Sequence, residues 1–315
     1  MSRYVIKFRT PPCGVCVEDS NMAKLLRGAP VAAALEENLK TETAKLRKQG
    51  IIPRLAIVRA GAQEGDLAYQ RSIQRRAERL GVETVCFELP GDCTRQALLD
   101  GIDRINGDSA IHGCLLLRPL PKQIDERAVC DALAPEKDMD CVSTGALARV
   151  FTGQTPIPPC TAQACMEILD HYGIDPAGKR AVVIGRSLVI GKPAAMLLLA
   201  RNATVTVCHS RTPDLPAVCR EADILIAAAG QAGLIGANCL RPGQVVLDVG
   251  IHNAPDGSLC GDVCFAEAEP VVQAITPVPG GVGSVTTTLL LSHVVEAAKR
   301  LETSAGLCAH SSVSF

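Results

Sequence analysis

The sequence predicts a two-domain α/β protein in which mostly parallel sheets are covered by helices. Three observations support this fold class. Short apolar runs typical of buried strands alternate along the chain with segments of helix length. A break rich in Pro and Gly at residues 153–159 divides this alternation into two parts. The second part then has a strand, a glycine-bounded loop, a helix and a strand at residues 181–212, as nucleotide-binding domains do.

The first part alternates regularly from residue 22 onward. Its predicted helices cover residues 30–49, 67–80, 94–106 and 124–133, and its predicted strands cover residues 54–58, 83–87 and 113–117. A glycine-rich loop is expected after the first strand, through Gly65. Residues 1–21 are predicted to be an N-terminal extension, either with a short strand at residues 4–8 or disordered. This extension lacks the apolar core of a secretory signal.

The second part, residues 159–285, is expected to be a Rossmann-like nucleotide-binding domain. Its predicted helices cover residues 161–172 and 191–201, and its predicted strands cover residues 181–184, 204–208, 224–227 and 245–249. An amphipathic helix at residues 286–301 follows a Pro-Gly-Gly loop. We expect this closing helix to return to the first domain, which then comprises residues 22–158 and 286–315.

Charge and composition exclude several classes of function. The formal net charge is -1 with Lys and Arg dispersed, which gives no electrostatic basis for binding nucleic acid or an anionic membrane. The apolar runs are much shorter than the ~20 residues of a membrane-spanning helix. The 15 cysteines are scattered, and neither Cys13 with Cys16 nor Cys260 with Cys264 has the partners of a zinc site. We therefore expect a soluble, cytoplasmic protein with no metal site.

The loop after the first strand of the second domain carries the strongest chemical signal. Five residues separate Gly185 from Gly191, and Pro193 follows Lys192, so the spacing of a P-loop is absent. The close glycines of the common dinucleotide motif are also missing, which leaves a variant Rossmann turn. The helix after this loop offers amide groups and a partial positive charge to a phosphate.

The residues after the next strand indicate which dinucleotide binds. An NAD enzyme usually has an acidic residue there, whereas this chain has His209, Ser210 and Arg211, with Arg186 in the first loop. Guanidinium and hydroxyl donors suit a 2′-phosphate, so NADP is favoured over NAD. The alternative is a solvated basic loop beside a purely structural strand-helix-strand unit.

Three separate motifs occur along the chain, namely APEKDMD at residues 134–140, GRS at 185–187 and TPVPGGVG at 276–283. Together they resemble the signatures of the FolD family, the methylenetetrahydrofolate dehydrogenase/methenyltetrahydrofolate cyclohydrolases. The resemblance extends over about residues 22–301 with matching order and spacing. It implies an N-terminal catalytic domain, an NADP-binding domain, a folate site in the cleft between them and a homodimer.

The resemblance also implies roles for individual residues. The expected cofactor-binding residues are Gly185, Arg186, Ser187, Ser210 and Ile251. The expected substrate-binding residues are Tyr69, Leu116, Leu117, Arg118, Asp140, Pro279, Gly280, Gly281, Val282 and Gly283. The carboxylate of Asp140 would accept hydrogen bonds from the N–H groups of a pterin. From the residues alone, a helix cap or an ion pair with Lys137 is the simpler interpretation of Asp140.

The sequence departs from the family pattern at the catalytic positions. The family has a Tyr followed four residues later by Lys, and a Gln two residues before a Pro. Tyr69 matches, but the Lys position is Ile73 and the Gln position is Leu117, followed by Arg118. Arg76 shares a helix face with Tyr69 and is a conceivable replacement for holding the charge of the substrate, unless it is simply a solvated helix residue.

We therefore expect NADP-dependent oxidation of 5,10-methylenetetrahydrofolate to 5,10-methenyltetrahydrofolate, with weak or lost cyclohydrolase activity. Hydride transfer chiefly requires two aligned reactants, whereas the addition of water requires groups that move protons. Three alternatives stay open. They are a bifunctional enzyme with rerouted proton transfer, a noncatalytic folate- or NADP-binding protein, and a Rossmann dehydrogenase acting on another small substrate.

Overall fold

The fold contains two parallel sheets with helices on their faces. It is seen in a computed structural model that describes residues 22–310. The elements up to residue 151 are β1 (Lys24–Leu25), α1 (Gly28–Lys48), β2 (Arg54–Ala60), α2 (Glu64–Leu80), β3 (Glu83–Leu89), α3 (Arg95–Gly107), β4 (Gly113–Leu116), α4 (Glu126–Ala132) and α5 (Thr144–Phe151). The elements that follow are α6 (Cys160–His171), β5 (Arg180–Ile184), α7 (Gly191–Ala200), β6 (Thr204–Cys208), α8 (Leu215–Arg220), β7 (Ile224–Ala227), a 3₁₀ turn (Ala237–Cys239), β8 (Val245–Asp248), β9 (His252–Asn253), β10 (Leu259–Cys260), α9 (Phe265–Ala268), β11 (Ala274–Ile275) and α10 (Gly283–His310). The predicted α/β fold class is confirmed.

The first domain contains a three-stranded parallel sheet in the order β3-β2-β4. Strand β2 is buried along nearly its whole length, because its apolar residues meet helices on both faces of the sheet. Successive side chains alternate between the two faces, so Ile57 and Leu115 enter one hydrophobic cluster while Val58 and Leu116 enter another. This alternation decides which residues at the carboxyl end of the sheet face the candidate site.

The second domain contains a six-stranded parallel sheet in the order β1-β11-β8-β7-β5-β6. The chain passes from β5 outward to β6 and then returns to β7 on the other side of β5, so the strand order reverses at β5. Ligands of open α/β sheets bind outside the carboxyl ends of the strands at such a reversal. The glycine-bounded loop that follows β5 therefore lies at the expected position for a ligand.

Helix α10 joins the cores of the two domains. It packs against α1, α2, β2 and β4, and it also contacts α6. Its side chains Leu290, Leu291 and Val294 are almost completely buried in the largest hydrophobic cluster. The expected return of the closing helix to the first domain is thereby confirmed. The helix begins at Gly283, three residues before the predicted start, so the Pro-Gly-Gly loop leads directly into it.

Three local features differ from what the sequence predicted. Helix α2 begins at Glu64, inside the predicted loop, because extended Gln63 ends the loop and acidic Glu64 and Asp66 favour a helix N-terminus. Helix α5 was not predicted from the sequence, although the hydroxyl of Ser143 accepts a hydrogen bond from the Ala146 amide at its start. Strand β1 pairs with β11, so residues 24–25 extend the second sheet rather than the first domain. The predicted strand at residues 4–8 lies outside the described residues.

Within residues 22–310, no helix is both long and apolar enough to cross a membrane. In the same part of the chain, no group of three or more His, Cys, Asp or Glu side chains is arranged to hold a metal ion.

Candidate functional site between the two sheets

The loop after β5 lines a cavity of about 480 Å³ at the carboxyl edge of the second sheet. Gly185, Arg186 and Ser210 line this cavity together with His209, which brings the predicted phosphate-binding residues of two loops to one place. Gly185 has a φ of +122°, and a Cβ atom there would clash with the carbonyl oxygen of Ala228. Only glycine therefore allows this close approach of the two loops.

Ser187 closes the turn that leads into α7. Its hydroxyl oxygen accepts hydrogen bonds from the amides of Ile190, at 3.2 Å, and Gly191, at 3.4 Å. A Cβ atom on Gly191 would clash with the Gly185 carbonyl oxygen, so the two ends of the loop approach each other closely enough to require glycine at position 191. Arg186 is exposed and forms no ion pair within residues 22–310, which leaves its guanidinium available to an anion beside the α7 N-terminus.

Asp262 organises the far wall of the same cavity, and sequence reasoning did not identify it. Its fully buried carboxylate accepts hydrogen bonds from the amides of Ala229 at 2.6 Å, Gly230 at 3.0 Å and Gln231 at 3.0 Å. His252 Nε2 lies 2.7 Å from the same carboxylate. The sequence offered one signal, an acidic residue directly before the apolar Val263. Both residues are buried in the structure, and a buried carboxylate requires hydrogen-bond donors nearby.

The Pro-Gly-Gly loop lines a second cavity, of about 170 Å³, on the side of the nucleotide domain that faces α10. This cavity is lined by Pro279, Gly280, Gly281, Val282, Gly283 and Ile251, so five predicted substrate residues meet one predicted cofactor residue. Gly280 has a φ of +101°, and its carbonyl oxygen accepts a hydrogen bond of 2.8 Å from Gly28 at the start of α1. The loop is thereby fixed to the first domain.

Tyr69 lies on the first-domain side of the site, on the exposed end of α2, with 40% of its surface accessible. Desolvation of its phenol raises the pKa of Tyr69, and the negative charge of Asp140 raises it further. A hydrogen bond with Thr287 on α10 acts in the opposite direction and lowers this pKa. Tyr69 and Asp140, separated by 71 residues in the chain, are therefore close enough to interact electrostatically.

Asp140 is half-buried, and burial raises the pKa of its carboxyl group. Its Oδ1 accepts a hydrogen bond of 3.3 Å from the Cys160 amide at the start of α6, so the helix-cap interpretation is partly correct. The ion pair with Lys137 is absent. Lys137 Nζ instead donates to the carbonyl oxygens of Ile105, Asn106 and Asp108 at 2.6, 3.0 and 2.7 Å.

The side chains of Ile73 and Leu117 are buried in one hydrophobic cluster. Ile73 is fully buried and Leu117 is 6% exposed, and both belong to the hydrophobic cluster that contains Leu115 and α10. Leu116, also predicted to bind substrate, is buried on the opposite face of the sheet. The structure therefore does not bring the Leu116 side chain to the site, because adjacent strand residues point to opposite faces.

Two arginines approach the site, and both have partners. Arg118 Nη1 lies 3.5 Å from Glu126, and its positive charge lowers the pKa of Asp140. Arg76 Nη1 donates to the Thr288 hydroxyl at 2.9 Å, and its Nε lies 3.6 Å from Glu36. Arg76 is thus not a solvated helix residue, and its contacts tie α2 to α10.

Comparison with known proteins identifies both parts of the chain. Residues 26–140 match the family model described as tetrahydrofolate dehydrogenase/cyclohydrolase, catalytic domain. Residues 159–302 match the corresponding NAD(P)-binding domain. The chain is 50% identical over 283 residues to the bifunctional protein FolD of Carboxydothermus hydrogenoformans, a match covering 89% of this chain and 99% of that protein.

Solved structures show the same relationship. A FolD methylenetetrahydrofolate dehydrogenase/cyclohydrolase from Campylobacter jejuni has a TM-score of 0.86 and 35% identity, covering 88% of this chain and 99% of that one. The Trypanosoma brucei enzyme, solved with NADP cofactor and an inhibitor, has a TM-score of 0.83 and 38% identity, covering 89% and 98%. The chain therefore belongs to the tetrahydrofolate dehydrogenase/cyclohydrolase family, whose members include the FolD proteins.

Proposed function

We propose that this chain catalyses the NADP-dependent oxidation of 5,10-methylenetetrahydrofolate to 5,10-methenyltetrahydrofolate, with weak or lost cyclohydrolase activity. One observation carries the proposal. A cavity of about 480 Å³ is lined by Arg186, which forms no ion pair among residues 22–310. The chain also keeps Tyr69 and Asp140, but it has buried hydrocarbon side chains at Ile73 and Leu117. Such a site retains what aligns two reactants and lacks what moves protons.

The residues of the nucleotide cavity fit NADP. Arg186 and Ser210 are an exposed guanidinium and an exposed hydroxyl on one cavity wall, which is the donor set that a 2′-phosphate requires. Gly185 and Ser187 shape the turn that brings backbone close to a pyrophosphate. When bound, the nicotinamide supplies the hydride acceptor for the oxidation.

The residues of the cleft fit a reduced pterin. Asp140 uses Oδ1 to accept a hydrogen bond from the Cys160 amide, and its carboxylate retains further lone pairs for N–H groups of the ring. Tyr69 is protonated at neutral pH, as a tyrosine ordinarily is, and its raised pKa favours this form further, so the phenol binds as a neutral group. The backbone of residues 279–283 forms the wall next to Ile251, where a folate and the nicotinamide would meet.

Loss of cyclohydrolase activity follows from the side chains at two positions. By the family resemblance, Ile73 and Leu117 stand where Lys and Gln carry out hydrolysis, and neither contains a nitrogen or oxygen to accept a proton. Arg76 and Arg118 do not replace the base, because an arginine pKa stays above ~12. General acid–base catalysis typically contributes ~10²–10⁴-fold, so enzymatic hydrolysis should fall by about that factor.

A bifunctional enzyme with rerouted proton transfer is the second candidate. The names of the relatives favour it, since the 50% identical protein from Carboxydothermus hydrogenoformans is called bifunctional. In that case a titratable group such as Tyr69 or Asp140 would have to transfer the protons. The raised pKa of Tyr69 makes its phenol a poor base because it stays protonated, and the raised pKa of Asp140 favours the acid form of its carboxyl group.

The test is a product analysis of the purified protein with 5,10-methylenetetrahydrofolate and either NADP⁺ or NAD⁺. We expect reduced cofactor with NADP⁺ and accumulation of the methenyl product, which disappears no faster than in a reaction without enzyme. Conversion to the formyl compound faster than that control would establish the bifunctional candidate instead. Binding of folate without any cofactor reduction would contradict both.

We also propose that the chain forms a homodimer and acts in the cytoplasm, as the family resemblance implies. Light scattering of the purified protein tests the first point, because a monomer at working concentrations would contradict it. Fractionation of cells that express the chain tests the second.

A further inference from the structure

We propose that His293 is a positioning residue that holds the folate-binding carboxylate of Asp140 in place, an inference that rests on the function proposed above. His293 lies on α10 and is 4% exposed, so it touches neither solvent nor a ligand directly. Its Nδ1 lies 2.9 Å from the carbonyl oxygen of Met139, the residue that precedes Asp140. The ring therefore acts on Asp140 through the backbone.

Both ring nitrogens of His293 face oxygen atoms. Nδ1 lies 2.9 Å from the carbonyl oxygen of Met139, and Nε2 lies 2.7 Å from Oε1 of Gln163, whose own Nε2 donates to Glu167 at 3.1 Å. Burial lowers the pKa of His293 to about 4, so the ring is neutral at pH 7 and carries one proton. We assign this proton to Nδ1, which donates it to the Met139 carbonyl oxygen. The ring lies between Gln163 on α6 and the strand-like segment that carries Asp140.

Cys160 strengthens the same arrangement from the start of α6. Its thiol donates to the Met139 carbonyl oxygen at 3.4 Å and lies 3.6 Å from His293 Nδ1, while its backbone amide donates to Asp140 Oδ1 at 3.3 Å. Burial and the nearby Asp140 charge keep the pKa of this thiol well above its usual range, so it stays protonated as a donor. Two donors therefore converge on one carbonyl oxygen.

The other side of the segment is bound to the first sheet. The Met139 amide donates to the carbonyl oxygen of Cys114 in β4 at 3.3 Å, and the Met139 side chain is completely buried against Gly113. Both peptide groups of Met139 are thus held, one by the sheet and one by His293 and Cys160. Asp140 follows directly, so its Cα and Cβ atoms are held in place, and the Cys160 amide holds its Oδ1.

A leucine would fill the His293 position without any hydrogen bond, as the neighbouring Leu291 and Val294 do. Burying an imidazole is costly, and here the Nδ1 atom contacts the carbonyl oxygen of Met139, the residue that leads to Asp140. The test therefore compares His293→Leu, which removes the donor, with His293→Asn, which keeps a side-chain N–H donor. His112 provides a matched control, because it is 7% exposed and lies at the amino end of β4, away from the site.

The experiment measures KM for 5,10-methylenetetrahydrofolate, KM for NADP⁺ and kcat in these variants. We expect His293→Leu to raise the folate KM about 5- to 10-fold, the effect of one lost hydrogen bond, with kcat and the NADP⁺ KM changed less than about twofold. His293→Asn should restore most of the affinity, and His112→Leu should lower the melting temperature without changing the folate KM. Cys160→Ala, which keeps the backbone amide, should raise the folate KM about threefold.

Equal increases in both KM values, or the same folate effect in His112→Leu, would show that His293 acts only through overall stability and would overturn the inference. An unchanged folate KM in His293→Leu and Cys160→Ala would also overturn it. If His293→Leu does not fold, the Asn and Cys160→Ala variants decide between these outcomes. If the wild-type chain reduces no NADP⁺, that result contradicts only the proposed function. Titration of the wild type and the variants with tetrahydrofolate alone then measures whether His293 affects folate binding.

Discussion

Restoring polar groups at two buried positions should restore cyclohydrolysis. In the double variant Ile73→Lys with Leu117→Gln, an ammonium and an amide replace side chains that pack in one hydrophobic cluster. Ile73 is fully buried, so desolvation should lower the pKa of the introduced amine by about 3 units, from ~10.4 to roughly 7. A base with a pKa near the working pH is the most effective catalyst of proton transfer.

The same burial sets the stability cost. Each pKa unit corresponds to about 1.4 kcal/mol, so holding the ionised amine at pH 7 costs roughly 4 kcal/mol before any new hydrogen bond forms. The introduced amide at position 117 offers an acceptor to the amine, and the double variant should therefore be more stable than Ile73→Lys alone. A loss of this size is tolerable for a domain whose total stability is about 5–15 kcal/mol.

The assay follows the disappearance of purified methenyl product with and without enzyme. We expect hydrolysis to rise by at least about 10²-fold in the double variant, while NADP⁺ reduction is retained. The control is Ile73→Met with Leu117→Met, which changes shape but adds no proton acceptor and should cost less than about 1.5 kcal/mol at each site. If the double variant folds, reduces NADP⁺ and hydrolyses no faster than this control, the assignment of the lost activity to these two positions is wrong.

Three further predictions concern the nucleotide, the folate and pH. Arg186→Ala should raise the KM for NADP⁺ about 10- to 100-fold with little effect on NAD⁺, because one charged hydrogen bond to the 2′-phosphate is lost; equal effects on both cofactors in initial-rate assays would contradict this. Asp140→Asn should raise the folate KM by a similar factor for the same reason, and an unchanged value in the same assay would remove Asp140 from the site. The folded-state pKa of His293 is lowered from 6.5 to about 4, so between these pH values the unfolded chain binds a proton that the native chain does not. Stability should therefore fall by up to about 3 kcal/mol as the pH decreases from 6.5 to 4, and urea unfolding of His293→Asn should show a smaller fall.

Local patterns in the sequence predicted those helices and strands whose formation depends mainly on neighbouring residues. The strands at 204–208 and 224–227 have the predicted bounds, because short apolar runs between turns leave few other structures for a buried strand. The spacing of four residues also predicted that Tyr69 and Ile73 lie on one face of α2, since residues four apart on a helix are neighbours. The glycines of the loop after β5 predicted a nucleotide site, and Gly185 of this loop lines a cavity.

Local patterns failed where a partner distant in sequence decides the structure. A two-residue strand such as β1 has no periodicity to detect, and it exists only because β11 is available to pair with it. Nothing near Arg76 in the sequence points to Thr288, which binds it across 212 residues. Asp262 and His293 were missed for the same reason.

By itself, the sequence determined the fold class, the two-domain organisation suggested by its patterns, the position of the glycine-bounded loop, and the absence of Lys and Gln from the two expected positions. Only the tertiary structure decided that Ile73 and Leu117 are buried in one hydrophobic cluster, that Arg76 and Arg118 are paired, and that His293 and Cys160 converge on the segment carrying Asp140. The physical reason is that side-chain periodicity reports which face of an element is apolar, whereas hydrogen bonds and ion pairs depend on which distant groups that face meets.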